Sequence, residues 1–294
     1  MHVAWVFSTG LPRNRTALTR PFHHEPFASK ERFSVARQWA RSRWPLRYGY
    51  ASRGRAQTLA CCQLDDKQIV TEYFNTVGFD RWRRIYSETE QVNRVQLDIR
   101  LGHAETVSKV LGMLDAAAID WGQHTVCDAG CGVGSLAIPI AQRTPARLLA
   151  FDISAAMTEE ARERAQRLLT PEQLARCEFR TADLESIQGA DPVDTVCCID
   201  VMIHYPAEQV EAMLSHLSKL ARQRLIISFA PRTFYYVLLK RIGDFFPGPS
   251  KATRAYLHSE EKIRDILQRN GWRVQSEAFT ATRFYFSKVL EAVR

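Results

Sequence analysis

Between Val126 and Leu136 the chain reads Val-Cys-Asp-Ala-Gly-Cys-Gly-Val-Gly-Ser-Leu, and few folds accommodate such a run. Ahead of it, His124-Thr-Val-Cys127 is short and β-prone. Behind it, Leu136-Ala-Ile-Pro-Ile-Ala-Gln142 can wind as a helix. Strand, glycine loop and helix, in that order, open a nucleotide-binding βαβ unit. The glycines let the main chain turn tightly and approach a ligand where a Cβ would clash. The helix start supplies free N–H groups.

The loop fits two ligands. Gly132-Val-Gly-Ser-Leu-Ala137 matches the G-x-G-x-x-G/A pattern of dinucleotide enzymes. Gly130-x-Gly132-x-Gly134 preceded by Asp128 matches the pattern of S-adenosylmethionine binding. An acid at the strand end repels a pyrophosphate and suits an ammonium group, which adenosylmethionine carries. A plain glycine turn is the third reading, and the next strand argues against it. That strand is Ala146-Arg-Leu-Leu-Ala-Phe151, followed by Asp152. An acid roughly twenty residues past the glycines typically accepts hydrogen bonds from a ribose diol. Asp152 or Ser154 can equally start the helix 155–169 as an N-cap, and the short turn has room for both roles.

The whole chain has a formal charge of +8, unevenly spread. Residues 1–62 hold eleven basic side chains, from Arg13 to Arg55, against two acids, Glu25 and Glu31. The remaining residues are therefore close to neutral. An Arg-rich, acid-poor N-terminus with scattered Ser and Thr reads as an organelle transit peptide. A nucleic-acid-binding arm is the rival, but a near-neutral body offers it no matching basic surface. No secretory apolar segment and no long apolar span is present. The seven cysteines include no C-x-x-C pair, so neither a disulfide framework nor a zinc site is indicated, and no metal ligands are assigned. Cys127, Cys197 and Cys198 fall in predicted strands and read as small buried hydrophobes.

From Leu64 the composition is that of a folded chain. A capped amphipathic helix is predicted over 65–74, broken at Gly78, then a short piece over 79–86 and a long helix over 92–114. Val95, Ile99 and Val107 are among its apolar positions, and Gly102 and Gly112 weaken it locally. These helices precede the first strand and lie over a cofactor mouth or on the sheet edge. Further strands are predicted at 177–181, 195–199, 224–229, 273–278 and 283–290, with helices over 207–220 and 260–269. Repeated β/α followed by a terminal strand pair describes a doubly wound sheet closed by a hairpin. Functional groups belong at the C-terminal strand ends of such sheets. Asp128, Asp152, Asp183 and Asp200 each end or follow a strand.

Asp128-Ala-Gly-Cys-Gly-Val-Gly134, Phe151-Asp-Ile-Ser-Ala-Ala-Met157 and Asp200-Val-Met-Ile-His-Tyr-Pro206 resemble the class I S-adenosylmethionine-dependent methyltransferases. Tyr73–Tyr86, Gln91–Arg100, Ser228–Phe234 and Phe246–Tyr256 resemble one family of these more closely, the magnesium-protoporphyrin IX O-methyltransferases. The resemblance runs from about Leu64 to Arg294 and departs at Ser87, where Gly is expected. It implies an α/β, Rossmann-like fold: a seven-stranded, mostly parallel sheet with a helical N-terminal cap. The implied division is a plastid transit peptide over 1–62, a cap over 63–122, and a methyltransferase domain over 123–294 with an insertion at about 231–256.

The implied reaction is methyl transfer from S-adenosylmethionine to a propionate of Mg-protoporphyrin IX, giving the 13-monomethyl ester in chloroplasts. By resemblance, Asp128, Gly130, Gly132 and Gly134 bind the methionine part, Asp152 the ribose, and Asp183 with Leu184 the adenine. Asp200 joins this cofactor-binding set. His204 and Tyr86 are the candidate catalytic pair, and Lys251 and Arg254 are candidates for the porphyrin carboxylates. Magnesium chelatase is a candidate partner, as is peripheral contact with plastid membranes; nucleic acid is not. A nicotinamide oxidoreductase, a porphyrin carrier without turnover and an RNA methyltransferase are the rival functions.

Overall fold

A computed structural model of the chain describes residues 66–86, 91–184, 192–233 and 255–294. All lie in one compact unit, Ala60–Arg294. The proposed transit peptide, Ser87, and the 234–254 stretch with Lys251 and Arg254 fall outside the described residues.

Three helices come first: α1 (Asp66–Asn75), α2 (Val77–Tyr86) and α3 (Arg94–Ala116). Then strands and helices alternate. They are β1 (Thr125–Ala129), α4 (Ala137–Arg143), β2 (Arg147–Asp152), α5 (Ala155–Leu168), α6 (Pro171–Leu174), β3 (Cys177–Thr181), β4 (Val193–Cys198), α7 (Ala207–Leu220) and β5 (Ala221–Phe229). Helix α8 (Glu260–Arg269), β6 (Arg273–Ala281) and β7 (Phe286–Val293) complete the unit. The sheet order is β3-β2-β1-β4-β5-β7-β6. Strands β1 to β5 are parallel, and β7 runs antiparallel between β5 and β6. This is the seven-stranded, mostly parallel sheet that the sequence implies.

The near-continuous apolar strands are explained by burial on both faces. Val126, Leu148, Ala150, Cys197 and Ile226 face a core with α3, α4 and α5. Their neighbours Cys127, Leu149, Val196, Cys198 and Ile227 face another core with α7 and α8. The three strand cysteines are buried free thiols, as expected. Each large aliphatic side chain so buried contributes about 1.5–3 kcal/mol.

Two glycine readings are corrected. Gly78 does not break α1; the break is at Thr76, and Gly78 lies inside α2. A Cβ there would stand 2.5 Å from Cε1 of the Tyr73 ring, so the glycine is a packing position. Gly102 likewise is where the Tyr285 ring rests on α3: a Cβ would meet Tyr285 Cδ1 at 2.3 Å. The final strand also starts later than expected, at Phe286. Residues before it form a turn in which Asp98 of α3 accepts from Thr282 Oγ1 (2.5 Å) and from the Phe284 N–H (2.6 Å). Helix α3 is therefore only partly a cap. Val107, Val110, Leu111 and Leu114 belong to the core, Ile99 and His103 line the cavity below the strand ends, and Val95 is exposed.

These contacts separate the two glycines of α3. Helix propensity alone favours Gly→Ala by about 1 kcal/mol at either position. Nothing lies within 4 Å of a Cβ added at Gly112, so Gly112→Ala is expected to stabilise by about 0.5–1 kcal/mol. Gly102→Ala must displace Tyr285 and is expected to destabilise by about 1–3 kcal/mol despite the propensity gain. Thermal denaturation of both variants checks the opposite signs.

Candidate functional site

The C-terminal ends of β1 to β4 open into a cavity of about 700 Å³. Asp128, Gly130, Gly132, Asp152, Asp183, Leu184, Asp200, His204 and Tyr86 all line it. Local geometry explains how each arrives there.

Gly130 has φ +85°, and a Cβ on it would lie 2.2 Å from Val201 Cγ2. Only glycine fits that turn. The N–H groups of Gly130 and Cys131 both donate to Phe151 O, at 2.7 and 2.9 Å, which fastens the loop to the end of β2. Gly132 has φ +51° and open space where a Cβ would stand. Its N–H donates to Asp152 Oδ2 (2.9 Å), while Asp152 Oδ1 accepts from the Ser154 N–H (2.9 Å). The N-cap of α5 is Ser154, whose side chain accepts from Met157 N. Asp152 is thus a brace between loop and turn, with acceptor capacity left over. Burial pushes its carboxyl up, against the backbone hydrogen bonds. Gly134 does not line the cavity. A Cβ there would stand 3.0 Å from Ile138 Cδ1, so this glycine serves the packing of α4.

Asp128 is 2% exposed. The Ala137 N–H at the start of α4 holds part of its carboxylate. Its Oδ2 has no partner among the described residues. Burial, with a smaller contribution from the Asp152 charge, pushes its pKa up to about 7, against the Ala137 hydrogen bond. An orphaned carboxylate oxygen beside an open glycine loop fits a cationic group with N–H donors. The residues present therefore suit the amino-acid end of S-adenosylmethionine.

Asp183 is ion-paired with Lys67 of α1. Ser154 Oγ lies 2.9 Å from Asn75 Oδ1 and 3.1 Å from Phe74 O, bolting the end of α1 to the start of α5. Arg100 of α3 donates to the carbonyls of Arg84 and Ile85, both at 2.7 Å, and so caps the end of α2. These contacts hold an aromatic wall in place. Trp82 stacks on Tyr86 (centroids 5.6 Å apart, 27°), and Tyr86 lies 4.5 Å from the His103 ring. Phe74 meets His204 edge-on at 5.1 Å.

His204 ends a single helical turn, Met202–His204. His258, just beyond the 234–254 stretch, fixes that turn by donating from Nε2 to Met202 O (2.8 Å). The Tyr256 N–H adds a bond to Ile203 O (2.8 Å). Burial holds the His204 imidazole down to about 4, against the attraction of Asp200. It is neutral at physiological pH, and its Nδ1 has no partner among the described residues. Burial, then the charges of Asp200 and Asp152, push the Tyr86 hydroxyl up, so it remains a donor.

Asp200, which also lines the cavity, is held by side chains of the fold. It adopts φ +59°. His103 Nδ1 and the Tyr285 hydroxyl each reach its Oδ2 at 2.7 Å. Ser228 Oγ (3.1 Å) and Ser287 Oγ (3.2 Å) reach Oδ1. The protein itself thus occupies the acceptor sites of this carboxylate. Burial alone pushes its pKa up, but the His103 hydrogen bond and charge, with those from Tyr285 and Ser228, hold it below the usual carboxylate range. Sequence reading missed His103, Tyr285, Ser228, Ser287 and His258. Tyr285 fell inside the strand predicted over 283–290, where nothing local marked it as a partner of Asp200.

Two family models match the chain. One is described as the magnesium-protoporphyrin IX methyltransferase C-terminus, over residues 198–294, and the other as a methyltransferase domain, over 126–224. A magnesium-protoporphyrin O-methyltransferase of Synechocystis is 53% identical over 79% of this chain and 97% of its own length. The chain belongs to this family. The chloroplastic magnesium protoporphyrin IX methyltransferase of Arabidopsis thaliana is 54% identical over 78% of this chain and 71% of its own. The crystal structure of the Synechocystis enzyme with bound S-adenosylhomocysteine superposes with a TM-score of 0.71 at 50% identity, covering 78% of this chain and 99% of that one. The fold is that of the class I methyltransferases.

Asp128 makes a stability prediction. A carboxyl whose folded pKa exceeds its unfolded value opposes folding once ionised. Its penalty sets in as pH rises above the ordinary carboxyl value of 3.8 and is complete above about 7. Ligand-free Asp128→Asn is expected to match the parent at about pH 4 and to exceed it by about 2–4 kcal/mol at about pH 8. Urea denaturation at the two pH values checks this.

Proposed function

We propose that this chain transfers a methyl group from S-adenosylmethionine to a propionate carboxylate of Mg-protoporphyrin IX, giving the 13-monomethyl ester on the way to chlorophyll in a chloroplast. The observation that carries this reading is the convergence, in one cavity of a chain of this family, of Asp128, Asp152 and a neutral His204 beside an aromatic wall.

Bound S-adenosylmethionine supplies an electrophilic methyl group on a sulfonium. A propionate has a carboxyl pKa near that of Glu, about 4.3, so it enters already ionised and needs no strong base. What remains for the protein is alignment at roughly 3 Å and removal of water. Asp128 takes the ammonium on its orphaned Oδ2, and that cation restores the carboxylate's preference for its charged form. Gly130 and Gly132 let the methionine part lie on the main chain. Asp152 gives its remaining acceptor capacity to the ribose hydroxyls, and Asp183 with Leu184 flanks the adenine. His204 Nδ1 and the Tyr86 hydroxyl orient the propionate oxygens. Trp82, Tyr86 and Phe74 offer a flat macrocycle the surface it needs. Lys251 and Arg254 remain the proposed contacts to the porphyrin carboxylates. The enzyme acts in the stroma or peripherally on plastid membranes, with magnesium chelatase as a partner that supplies the metallated ring.

The direct test is methyl transfer from labelled S-adenosylmethionine to Mg-protoporphyrin IX by the full chain. No labelled ester from protein that binds S-adenosylhomocysteine would refute the reading. Because the carboxylate is itself a competent nucleophile, His204→Ala and Tyr86→Phe are each expected to lower kcat about ten- to a thousandfold. Adenosylmethionine affinity should change little. Single-turnover rates measure the effect, and an unchanged rate removes that residue from the chemistry.

A further inference from the structure

Mg-protoporphyrin IX carries two propionates side by side on one edge of the ring, and a monoester leaves one of them free. A site that stops after one methyl group must treat the two differently. The turn before β7 is built for that. Asp98 of α3 accepts from Thr282 Oγ1 and from the Phe284 N–H. The Thr282 N–H donates to Tyr285 O (2.8 Å), and the Tyr285 N–H donates back to Thr282 Oγ1 (3.1 Å). These bonds fix the tip, Arg283-Phe284, and both side chains line the cavity. Phe284 is 56% exposed, a large ring left facing water. Three described side chains lining the cavity are permanently cationic, Lys67, Arg81 and Arg283. Lys67 is ion-paired with Asp183. The Arg81 guanidinium lies 6.0 Å from the Trp82 ring centroid, against the aromatic wall. Arg283 is exposed, and its guanidinium has no hydrogen bond or ion pair among the described residues.

Building on the function proposed above, we propose that Arg283 pairs with the propionate that is not methylated, with the Phe284 ring against the macrocycle, and that this pairing limits the enzyme to one ester per ring. A free carboxylate turned inward meets Asp128, Asp152, Asp183 and Asp200, and like charges repel it. Turned toward the 282–285 turn, it meets a guanidinium whose planar fork matches a carboxylate with two parallel N–H···O bonds. A monoester can offer its remaining carboxylate to the methyl donor only by turning its ester toward Arg283. The ester carries no charge, so the second transfer lacks the anchor that the first one had. On this reading Lys251 and Arg254 serve the reacting carboxylate, beside His204 and Tyr86.

The test titrates the full chain, with S-adenosylhomocysteine present, against Mg-protoporphyrin IX, its 13-monomethyl ester and its dimethyl ester, read by porphyrin fluorescence. The first two keep the anchoring propionate and the third does not. Arg283→Gln should weaken the first two by the same factor, about tenfold for a charge-assisted pair partly open to water. It should leave the dimethyl ester and S-adenosylhomocysteine unaffected. Arg283→Lys, which keeps the charge and loses the fork, should recover part of the loss. Phe284→Ala should weaken all three porphyrins alike. On long incubation with S-adenosylmethionine, Arg283→Gln should form more diester per monoester than the parent. A loss confined to the diacid puts Arg283 at the reacting carboxylate, and an equal loss for all three porphyrins makes it a structural part of the turn. Either result, unchanged affinities, or a diester yield equal to the parent's overturns the proposal. A parent that binds none of the three porphyrins refutes the proposed function instead.

Discussion

A carboxylate largely removed from water must be met by donors or it destabilises the fold by several kcal/mol. Asp200 is met by His103 of α3, Ser228 of β5, and Tyr285 and Ser287 around the start of β7. Those four residues come from three elements, so one charge fixes where α3 and β7 stand against the middle of the sheet. Gly102, one residue before His103, lacks the Cβ that would keep the Tyr285 ring out. Tyr285 also lies 2.9 Å from Thr106 Oγ1; with its own proton on Asp200, it accepts there. The cavity wall, the positive φ of Asp200 and the orientation of His103 all follow from satisfying this acid.

Asp128 and Asp200 border the same cavity and titrate in opposite senses. Burial pushes both up. Asp200 has enough donors to reverse that, and Asp128 does not. The difference separates a group completed by the fold from one left with an orphaned acceptor among the described residues. The two histidines each keep one ring nitrogen unpartnered among the described residues, but His103 is tied to Asp200 through Nδ1, whereas burial holds His204 neutral.

Much of this was legible in the chain because it is local. The strand–glycine–helix run places Asp128, Gly130 and Gly132 within a few residues of each other, and Asp152 is one βα unit away. Two-sided burial made β4 and β5 readable as apolar runs. Helix α7 follows Pro206 and matches its expected span, since proline pre-sets the entry. The rest was hidden by distance. His103 and Asp200 are 97 positions apart, and Tyr285 and Asp200 are 85. No periodicity encodes such a contact. Gly78 and Gly102 misled for a related reason: a glycine's propensity is written in its own type, but the ring that needs its empty side comes from elsewhere.

The place of β7 in the sheet has a kinetic consequence. This strand lies between β5 and β6, yet it follows both along the chain. The interior of the sheet therefore stays open until the last strand inserts. Pairings between distant segments pay their loop-closure entropy before they gain stability, which makes them slow. During vectorial synthesis β1 to β5 are available long before β7, with the edge of β5 exposed and Asp200 still lacking Tyr285 and Ser287. A nascent chain can thus form its glycine loop early while the donors that complete Asp200 are still to come. The glycine-loop side of the cavity matures before the side that Tyr285 and Phe286 close.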